Sequence, residues 1–420
     1  MLQSTDTADV VIVGGGAAGL AAAVFCGRVL TNQRIICADA ARTVGAKILV
    51  SGGARCNVTN RVVTERDFWG GNPRIVRSVL RAFSARRAAE FFNALGVTLH
   101  EEEDGKLFPD TNRARTVLDA LLLELQKAGA ELHSSRRVVD VTPSGGGFIV
   151  GTAAGDSYAA GVVILATGGR SLPKTGSDGT GYEFARRLGH GYVETTPALV
   201  PLMLDDAFPA RLAGVSHPAA LMVRAGRGTV VRLEGSLLWT HFGASGPVVL
   251  NASRHWLRMR LDGGRPDVVL NMLPGETFES TETWLQAQQR DRPRASVRSV
   301  IATGLPGSVA EAWIVAAGLD PATTMAHLAR DDRRRLVRAL TEMPLKVRDS
   351  RGYNFAEVTA GGIPLSEIDP ATMESRVCPG LYLIGEMLDA DGRLGGFNFQ
   401  WAWSSAWVAS QGVARRLNGR

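Results

Sequence analysis

A short strand, a glycine turn and a long helix follow one another at the start of the chain. The β-branched run at residues 10–13 leads directly into Gly14-x-Gly16-x-x-Gly19, an Ala-rich stretch covers residues 17–30, and a second apolar run at residues 34–39 ends in Asp39. Short β-branched runs favour strands, and long Ala-rich runs favour helices. This order predicts a βαβ unit with parallel strands and a right-handed crossover.

The three glycines have the spacing of a dinucleotide-binding turn. Gly14 permits the tight turn, Gly16 lets backbone N–H groups approach a pyrophosphate, and Gly19 allows the helix to pack closely on the strand. The helix N-terminus adds partial positive charge. Asp39 ends the next strand, where a carboxylate can hydrogen-bond an unphosphorylated ribose, and this favours FAD or NAD over NADP. The contacts predicted at this turn are Gly14, Gly16, Ala17, Ala18, Gly19, Asp39 and Ala40.

A second Gly-rich segment, residues 45–57, favours FAD over NAD. An extended flavin cofactor needs donors along its diphosphate, its ribityl chain and its ring, whereas a simple NAD dehydrogenase has no need of such a segment. The alternative is an ordinary surface loop. The contacts predicted here are Lys47, Ser51, Gly52, Arg55, Cys56 and Asn57.

Two more strand ends add to the predicted FAD site. One is a buried strand that ends at a glycine turn. The contacts predicted there are Ala166, Thr167, Gly168 and Gly169, together with Val138 of the preceding hairpin. The other lies within residues 385–400, where a new helix follows an acidic loop and its N–H groups can face the pyrimidine side of a flavin. Its predicted contacts are Gly385, Glu386, Asp389, Gly396, Phe397 and Asn398. The alternative is a packing helix with a Gly-rich start, whose tryptophans belong to the core.

These segments resemble the BaiN/YhiN-type family of FAD-dependent oxidoreductases, the aminoacetone-oxidase-like flavoproteins. The resemblance runs from the first strand to the last helix and is carried by residues 9–19, 51–60, 107–109, 167–169, 240–247 and 385–400. Ala54 stands where the family usually has a third glycine. The resemblance implies a Rossmann-like FAD-binding domain split in sequence, an inserted β-barrel-like domain facing the isoalloxazine, and a small helical segment.

The pattern of apolar, glycine and charged residues along the chain predicts the same α/β organisation. The predicted domains are 1–198 for the N-terminal part of the FAD-binding domain, 199–276 for the β-rich substrate domain, 277–349 for the helical part of the insert, and 350–420 for the C-terminal part of the FAD-binding domain. Within them, apolar residues at helical spacing predict helix over residues 78–96 and 116–128. A hairpin is predicted over residues 131–142 and 147–152, and an antiparallel sheet or small barrel over residues 199–271. The predicted core anchors of the helical part are Trp284, Trp313, Leu336 and Leu340.

Composition argues for an ordinary globular protein and disfavours a nucleic-acid partner. The net charge is +6, 42 of the 47 basic residues are arginine, and only 6% of the residues are aromatic. The densest basic cluster comprises Arg330, Arg333, Arg334, Arg335 and Arg338. Asp331 and Asp332 interrupt this cluster, which is typical of a solvated helix face rather than a nucleic-acid footprint.

Cysteine usage and hydropathy indicate a cytoplasmic protein. The four cysteines are far apart and lack ligand-like spacing, so no metal site is predicted and a reducing compartment is favoured. The uncharged run at residues 10–27 follows acidic residues and is interrupted by glycines, which argues against a signal peptide or a membrane span.

Two residues are the candidates for catalysis. His241 lies in a Gly-rich loop of the insert, where it either transfers protons to a substrate or caps the loop. Cys56 either touches the flavin or substrate, or packs in the core. Arg55 is expected to balance phosphate or reduced-flavin charge, and Glu386 to orient the cofactor loop.

The function predicted from the sequence is hydride transfer between flavin N5 and a small or medium organic substrate. No second GxGxxG motif is present, so either NADH or NADPH visits the flavin as a transient reductant, or O₂ reoxidises it. Two alternatives remain at this point: a basic flavoprotein with an RNA-associated or regulatory role and no turnover, and an NAD dehydrogenase without flavin. The oligomeric state is left open.

Overall fold

The structure, a computed structural model, describes residues 5–205, 209–226 and 230–419. The chain separates into unit 1, made of Met1–Thr195 and Glu357–Arg420, and unit 2, made of Thr196–Ala356. Residues 206–208 and 227–229 of the predicted β-rich insert lie outside the described part. Unit 1 is therefore assembled from two separate pieces of sequence.

Unit 1 is built on a sheet whose parallel centre carries the glycine turn. Its strands, with those of two smaller sheets, are β1 (Thr5–Val13), β2 (Ile35–Ala38), β3 (Thr59–Asn60), β4 (Phe68–Gly70), β5 (Leu99–Glu102), β6 (Lys106–Pro109), β7 (Glu131–His133), β8 (Val138–Ser144), β9 (Gly147–Thr152) and β10 (Ser157–Leu165). β7, β2, β1 and β10 are parallel neighbours in that order. β10 then pairs antiparallel with β9, and β9 with β8. The Rossmann-like α/β fold expected from the sequence is confirmed.

The second piece of unit 1 completes this sheet and its core. After β11 (Val193–Ala198), which runs from unit 1 into unit 2, the later strands of unit 1 are β19 (Val358–Gly362), β20 (Leu381–Leu383) and β21 (Ala390–Gly392). β20 pairs parallel with β10. The helices of unit 1 are α1 (Ala17–Val29), α2 (Ala46–Ala54), α3 (Pro73–Ala82), α4 (Ala85–Ala94), α5 (Ala114–Lys127), α6 (Thr180–Arg187) and α12 (Phe397–Asn418).

The tryptophans of α12 belong largely to the core of unit 1. Trp401 and Trp403 are fully buried, and their indole N–H groups donate to the carbonyls of Gly385 and Val58. Because a buried indole N–H needs a partner, these bonds fix α12 against both Gly-rich segments.

Unit 2 is an antiparallel sheet that closes on itself. Its strands are β12 (Leu202–Leu204), β13 (Ser216–Ala225), β14 (Val230–Thr240), β15 (Gly243–Ser245), β16 (Pro266–Asn271), β17 (Met343–Leu345) and β18 (Val347–Ser350). Their order is β17-β16-β13-β14-β15-β12-β18. Only Lys346 separates β17 from β18, so the two edges of the sheet meet, as in a small barrel. These two strands lie at the end of the segment expected to be helical.

The helices of unit 2 form a second layer of its core. They are α7 (Pro247–Leu261), α8 (Phe278–Asp291), α9 (Val297–Ile301), α10 (Gly307–Ala316) and α11 (Arg330–Thr341). Trp313, Leu336 and Leu340 are fully buried, whereas Trp284 is only partly buried against this core. α7 lies inside the stretch that the sequence predicted as purely antiparallel.

Two local predictions were wrong in detail. The single helix expected over residues 78–96 is two helices, α3 and α4, because Ser84 stops the first and caps the second by accepting a hydrogen bond from Arg87 N–H. The strand β7 is not part of the β8–β9 hairpin, since it pairs with β2 instead.

Candidate functional site

The glycine turn after β1 leaves an open backbone surface at the N-terminus of α1. A Cβ on Gly14 would lie 2.6 Å from the Ala166 carbonyl oxygen, and one on Gly19 would collide with the Gly14 carbonyl, so both positions require glycine. Gly16, in contrast, has no heavy atom near its Cβ position. No side chain caps α1, which starts at Ala17. The N–H groups of Gly14 and Gly15 donate to Ala38 and Asp39, whereas those at the start of α1 are available to an anion.

Asp39 braces the turn from the end of β2. One carboxylate oxygen accepts from Gly15 N–H at 2.6 Å and the other from Ala41 N–H at 2.7 Å. The carbonyl of Asp39 also accepts from Arg136 N–H, which brings the segment before Val138 to this strand end. Ala40 is exposed and Val138 is buried. The predicted adenosine contacts therefore share one edge of the sheet.

The second Gly-rich segment forms a left-handed turn at the end of α2. Gly52, Gly53 and Ala54 have φ values of +54°, +68° and +66°, and Cys56 follows with +63°. Cys56 N–H donates to the Ser51 carbonyl and closes the turn. Ala54 thus adopts a conformation that usually favours glycine.

Asn57 joins this segment to the start of α12. Its side-chain oxygen accepts from Gly396 N–H at 3.0 Å, while its amide nitrogen donates to the Thr59 carbonyl. Asn398 secures the other side of the helix start by exchanging two hydrogen bonds with the backbone of Gly392. Phe397 is fully buried, and no side chain caps α12. The positive end of this long helix therefore lies beside the left-handed turn.

A hydrogen-bonded cluster links four segments of unit 1. Lys47 Nζ lies 2.6 Å from one carboxylate oxygen of Glu386 and 2.7 Å from Ser171 Oγ. The other carboxylate oxygen of Glu386 accepts from Ser171 Oγ–H and from Thr359 N–H. Thr359 Oγ1 in turn accepts from the backbone N–H groups of Arg170 and Ser171. Ser171 and Thr359 were missed by the sequence analysis because each stands just outside a recognised glycine motif.

The same glycine motifs approach one another in space. The Cβ position of Gly385 is 2.8 Å from Ala18 Cβ, so the segment after β20 lies against α1. Gly169 is in contact with Thr359, and a Cβ there would lie 2.8 Å from Glu386. Asp389 is buried, and its backbone bonds to Ile363 and Gly71. Unit 1 thus brings Gly385 close to Ala18, and Gly169 close to Glu386; we call the surface shared by these glycine motifs the cradle.

Observed features of this cradle fit a bound dinucleotide. It offers two uncapped helix N-termini and an open surface at Gly16. Free N–H groups at helix N-termini suit the phosphates of a dinucleotide. FAD would be held by the glycine turn, Asp39, Asn57 and the start of α12.

Arg55 and Cys56 have surroundings that the sequence did not indicate. The guanidinium of Arg55 forms a two-pronged pair with Glu102 and lies 4.1 Å from the centre of the Phe108 ring. Its charge is therefore already balanced within the protein. Cys56 is fully buried, and burial raises the pKa of its thiol to about 12. The thiol is protonated at neutral pH, which does not suit a nucleophile.

His241 belongs to unit 2, in the exposed turn between β14 and β15. Its ring lies edge-on to Phe242, with ring centres 5.0 Å apart, and Arg351 stacks on the Phe242 ring at 4.5 Å. No described residue forms a hydrogen bond with its imidazole. Its role as a proton carrier stays a prediction.

Glu357 is a titratable group that the sequence analysis did not select. It precedes β19, and its carbonyl oxygen lies 3.2 Å from Ser171 Oγ. Glu357 is exposed, whereas Thr359, two residues further along, is buried in the cluster around Glu386. Part of the Glu357 side chain remains in contact with solvent, but the surrounding protein weakens its hydration and raises the pKa of the carboxyl to about 7. Such a group can take up or release a proton at neutral pH.

Comparison with known proteins identifies the family. The model of the HI0933-like protein Rossmann domain matches residues 8–412. The chain belongs to the HI0933-like family. It is an FAD-dependent oxidoreductase of this family, as the BaiN/YhiN-type motifs predicted.

Two curated HI0933-like relatives match along almost their whole length. The ribosomal RNA dihydrouridine synthase of Escherichia coli K12 is 35% identical, over 96% of this chain and 97% of that protein. The 3-dehydro-bile acid delta(4,6)-reductase of Clostridium scindens is 31% identical, over 96% and 98%.

Among solved structures, the Mycobacterium smegmatis Sdh1 complex shares the fold of this HI0933-like chain. The match has a TM-score of 0.51 at 16% identity and covers 99% of this chain and 69% of that one.

Within the described residues, no helix is both long and apolar enough to cross a membrane.

Proposed function

We propose that this protein reduces the uracil ring of uridine in ribosomal RNA to dihydrouracil. The observation that carries the proposal is the full-length similarity to the Escherichia coli synthase, at 35% identity, in a chain whose unit 1 has a cradle suited to FAD. The names of both curated relatives describe reduction of a carbon–carbon double bond conjugated to a carbonyl. The proposal departs from the composition of the chain, which disfavours nucleic acid as a partner.

The residues of unit 1 hold the cofactor rigidly in this proposal. When bound and reduced, FAD would supply the hydride chemistry needed at the substrate carbon that is β to the carbonyl. The glycine turn and the start of α1 would bind the diphosphate, and Asp39 would orient the adenosine ribose. Lys47, Ser171 and Glu386 fix the surrounding loops by their mutual hydrogen bonds. Preorganisation of this kind removes the cost of ordering the loops during catalysis.

The carbon α to the carbonyl must receive a proton to complete the reduction. Glu357 is our candidate for the origin of this proton, because the raised pKa of its carboxyl leaves part of the population protonated at neutral pH. His241 is the second candidate, and substitution of each residue separately distinguishes them. Cys56 is a poor candidate, because its thiol is buried and firmly protonated.

A reductive reaction requires an electron donor. Since the proposed substrate is the electron acceptor, NADH or NADPH is favoured over a cycle in which O₂ reoxidises a substrate-reduced flavin. The chain has no second GxGxxG motif, so the nicotinamide is proposed to visit the flavin transiently and leave before the RNA substrate reacts.

The test combines the FAD-loaded protein, NADPH or NADH, and unmodified bacterial ribosomal RNA made by in vitro transcription. The expected result is the gain of two hydrogen atoms at one or a few uridines, detected by mass spectrometry of nuclease digests. A protein that oxidises NADPH and reduces a 3-oxo-4-ene steroid, but leaves the RNA unchanged, would refute the RNA proposal. It would assign the chain to the reaction class of the Clostridium scindens relative.

A further inference from the structure

The net positive charge of the protein is concentrated in unit 2. Unit 2 carries 20 basic and 15 acidic residues, whereas unit 1 carries 27 basic and 26 acidic residues. Five of the six net charges therefore belong to unit 2, which has the smaller share of the chain. An overall coding preference for arginine explains the choice of Arg over Lys, but it does not explain this asymmetry.

Part of this charge lies on one side of the helical layer. Arg290, Arg292 and Arg294 are exposed at the end of α8, and Arg330 is exposed at the start of α11. Hydrogen bonds from the Gln289 side chain to the carbonyls of Met325 and Leu328 hold these two helix ends together. Ala326 N–H also donates to the Pro293 carbonyl. The four arginines are therefore neighbours on the surface, although they are about 40 residues apart in sequence.

The cluster continues along α11. Arg330, Arg334 and Arg338 recur every four residues, so they share one face of the helix and extend over about 12 Å. The guanidinium groups of Arg334 and Arg338 lie 5.1 Å and 6.0 Å from the centre of the Phe278 ring. We call these six residues the arginine stripe: Arg290, Arg292, Arg294, Arg330, Arg334 and Arg338.

Ion pairing separates the arginine stripe from its neighbours. Arg298 pairs with Glu311, Arg333 with Glu282, and Arg335 with Asp332. No member of the stripe forms an ion pair with any residue that the structure describes. Arginines that stay unpaired next to paired ones retain their charge for an external anion, and their planar fork suits phosphate oxygens.

We propose that the arginine stripe of unit 2 docks the phosphate backbone of the RNA substrate. The inference rests on the proposed function, which supplies a polyanionic partner, and adds the surface that binds it. Charge complementarity favours RNA as the partner of the stripe, because phosphates along a strand match a row of unpaired guanidinium groups. A half-buried aromatic ring, Phe278, lies within the row, as is common in nucleic-acid surfaces. Such contacts position the RNA without reading its sequence.

The experiment compares three variants of the full-length, FAD-loaded protein. R290Q/R292Q/R294Q removes three charges from the stripe, R290K/R292K/R294K keeps them, and R74Q/R81Q/R113Q removes three exposed charges from unit 1. Flavin content and the thermal midpoint of each variant verify folding. Binding of in vitro-transcribed bacterial ribosomal RNA is then measured over a range of salt concentrations.

We expect the glutamine variant of the stripe to bind at least about tenfold more weakly at physiological salt. The slope of log affinity against log salt should fall in magnitude by about 2 to 3, because each lost phosphate contact removes ~0.7–0.9. The lysine variant and the unit 1 variant should stay close to wild type. Equal losses in the two glutamine variants, or an unchanged slope in the stripe variant, would overturn the inference. If wild type forms dihydrouridine in RNA while the stripe variant binds normally, only this inference fails; if wild type neither binds nor modifies RNA, the proposed function fails with it.

Discussion

Lys47 and Glu386 form a partly buried ion pair across 339 positions of sequence, with 2.6 Å between Nζ and the carboxylate. Their side chains are only 22% and 20% exposed. The pair joins α2, in the first piece of unit 1, to the loop after β20, in the second piece. Both pieces must therefore be in place before the predicted cofactor cradle is complete.

Removing one member of this pair should destabilise unit 1. We expect Lys47→Met or Glu386→Gln to lower the free energy of unfolding by about 2 kcal/mol, between the values typical of exposed and fully buried pairs. Urea unfolding of both variants and of the double variant gives the coupling energy, which we expect to be at least about 1 kcal/mol. The matched control is Arg86 and Glu90, whose side chains are 86% and 60% exposed. Equal coupling in the two pairs would contradict the structural role of the Lys47–Glu386 contact.

Ala54 should carry backbone strain that glycine relieves. A left-handed conformation costs an alanine roughly 1–2 kcal/mol, while glycine loses about 0.5–1 kcal/mol more in chain entropy on folding. Ala54→Gly is therefore expected to stabilise the protein by about 0.5 kcal/mol in urea unfolding. Ala54→Val should destabilise it by at least about 1 kcal/mol, since a β-branched side chain fits this conformation poorly. A loss of stability in the glycine variant would show that the strain is compensated by its surroundings.

Cys56 should be inert in the native protein. With the pKa of its thiol at about 12, the thiolate fraction at pH 8 is on the order of 10⁻⁴. We expect iodoacetamide to modify the partly exposed Cys378 first and Cys56 only after denaturation, as followed by peptide mass spectrometry. Cys56→Ala should keep turnover within about threefold of wild type. Rapid modification of native Cys56, or loss of turnover with intact flavin binding, would restore it as a catalytic candidate.

Glu357 should make stability depend on pH in a defined window. Its carboxyl pKa rises from the ordinary 4.5 to about 7 in the folded protein, so the folded state holds a proton that the unfolded state has lost between these values. This contribution to stability is fully present below pH 4.5 and disappears as the pH rises through 7. The thermal midpoint of Glu357→Gln should therefore fall less than that of wild type between pH 5 and 7.5. Glu279→Gln, at an exposed position of α8 in unit 2, is the control. Identical pH profiles for the Glu357 variant and wild type would refute the assignment.

The sequence predicted the parts of the site that depend on local chain geometry. The turn at Gly14, the strand end at Asp39 and the start of α12 each follow from a short motif with one backbone solution. The partnership of Lys47 with Glu386, and the places of Ser171 and Thr359, depend on how distant strands meet, which no local pattern encodes. The shifted pKa of Glu357 likewise arises from neighbours that are remote in sequence.

The errors in predicting α7 and the break between α3 and α4 have a similar cause. α7 begins at Pro247 directly after the glycines of residues 243–246, which are typical of turns between strands. It also buries the polar residues Arg254 and His255, so its apolar pattern is weak. The break between α3 and α4 required recognising Ser84 as a cap rather than as part of one amphipathic helix.

The closure of the unit 2 sheet at Lys346 sets an order of assembly on the ribosome. All strands of unit 2 have been synthesised once residue 350 emerges, whereas β20 and α12 of unit 1 come from the last 40 residues of the chain. Domains generally fold as units during synthesis, beginning with those completed first. Unit 2 can therefore reach its native structure while the first piece of unit 1 still waits for its final strand, so the domain that begins the chain is the last to be finished.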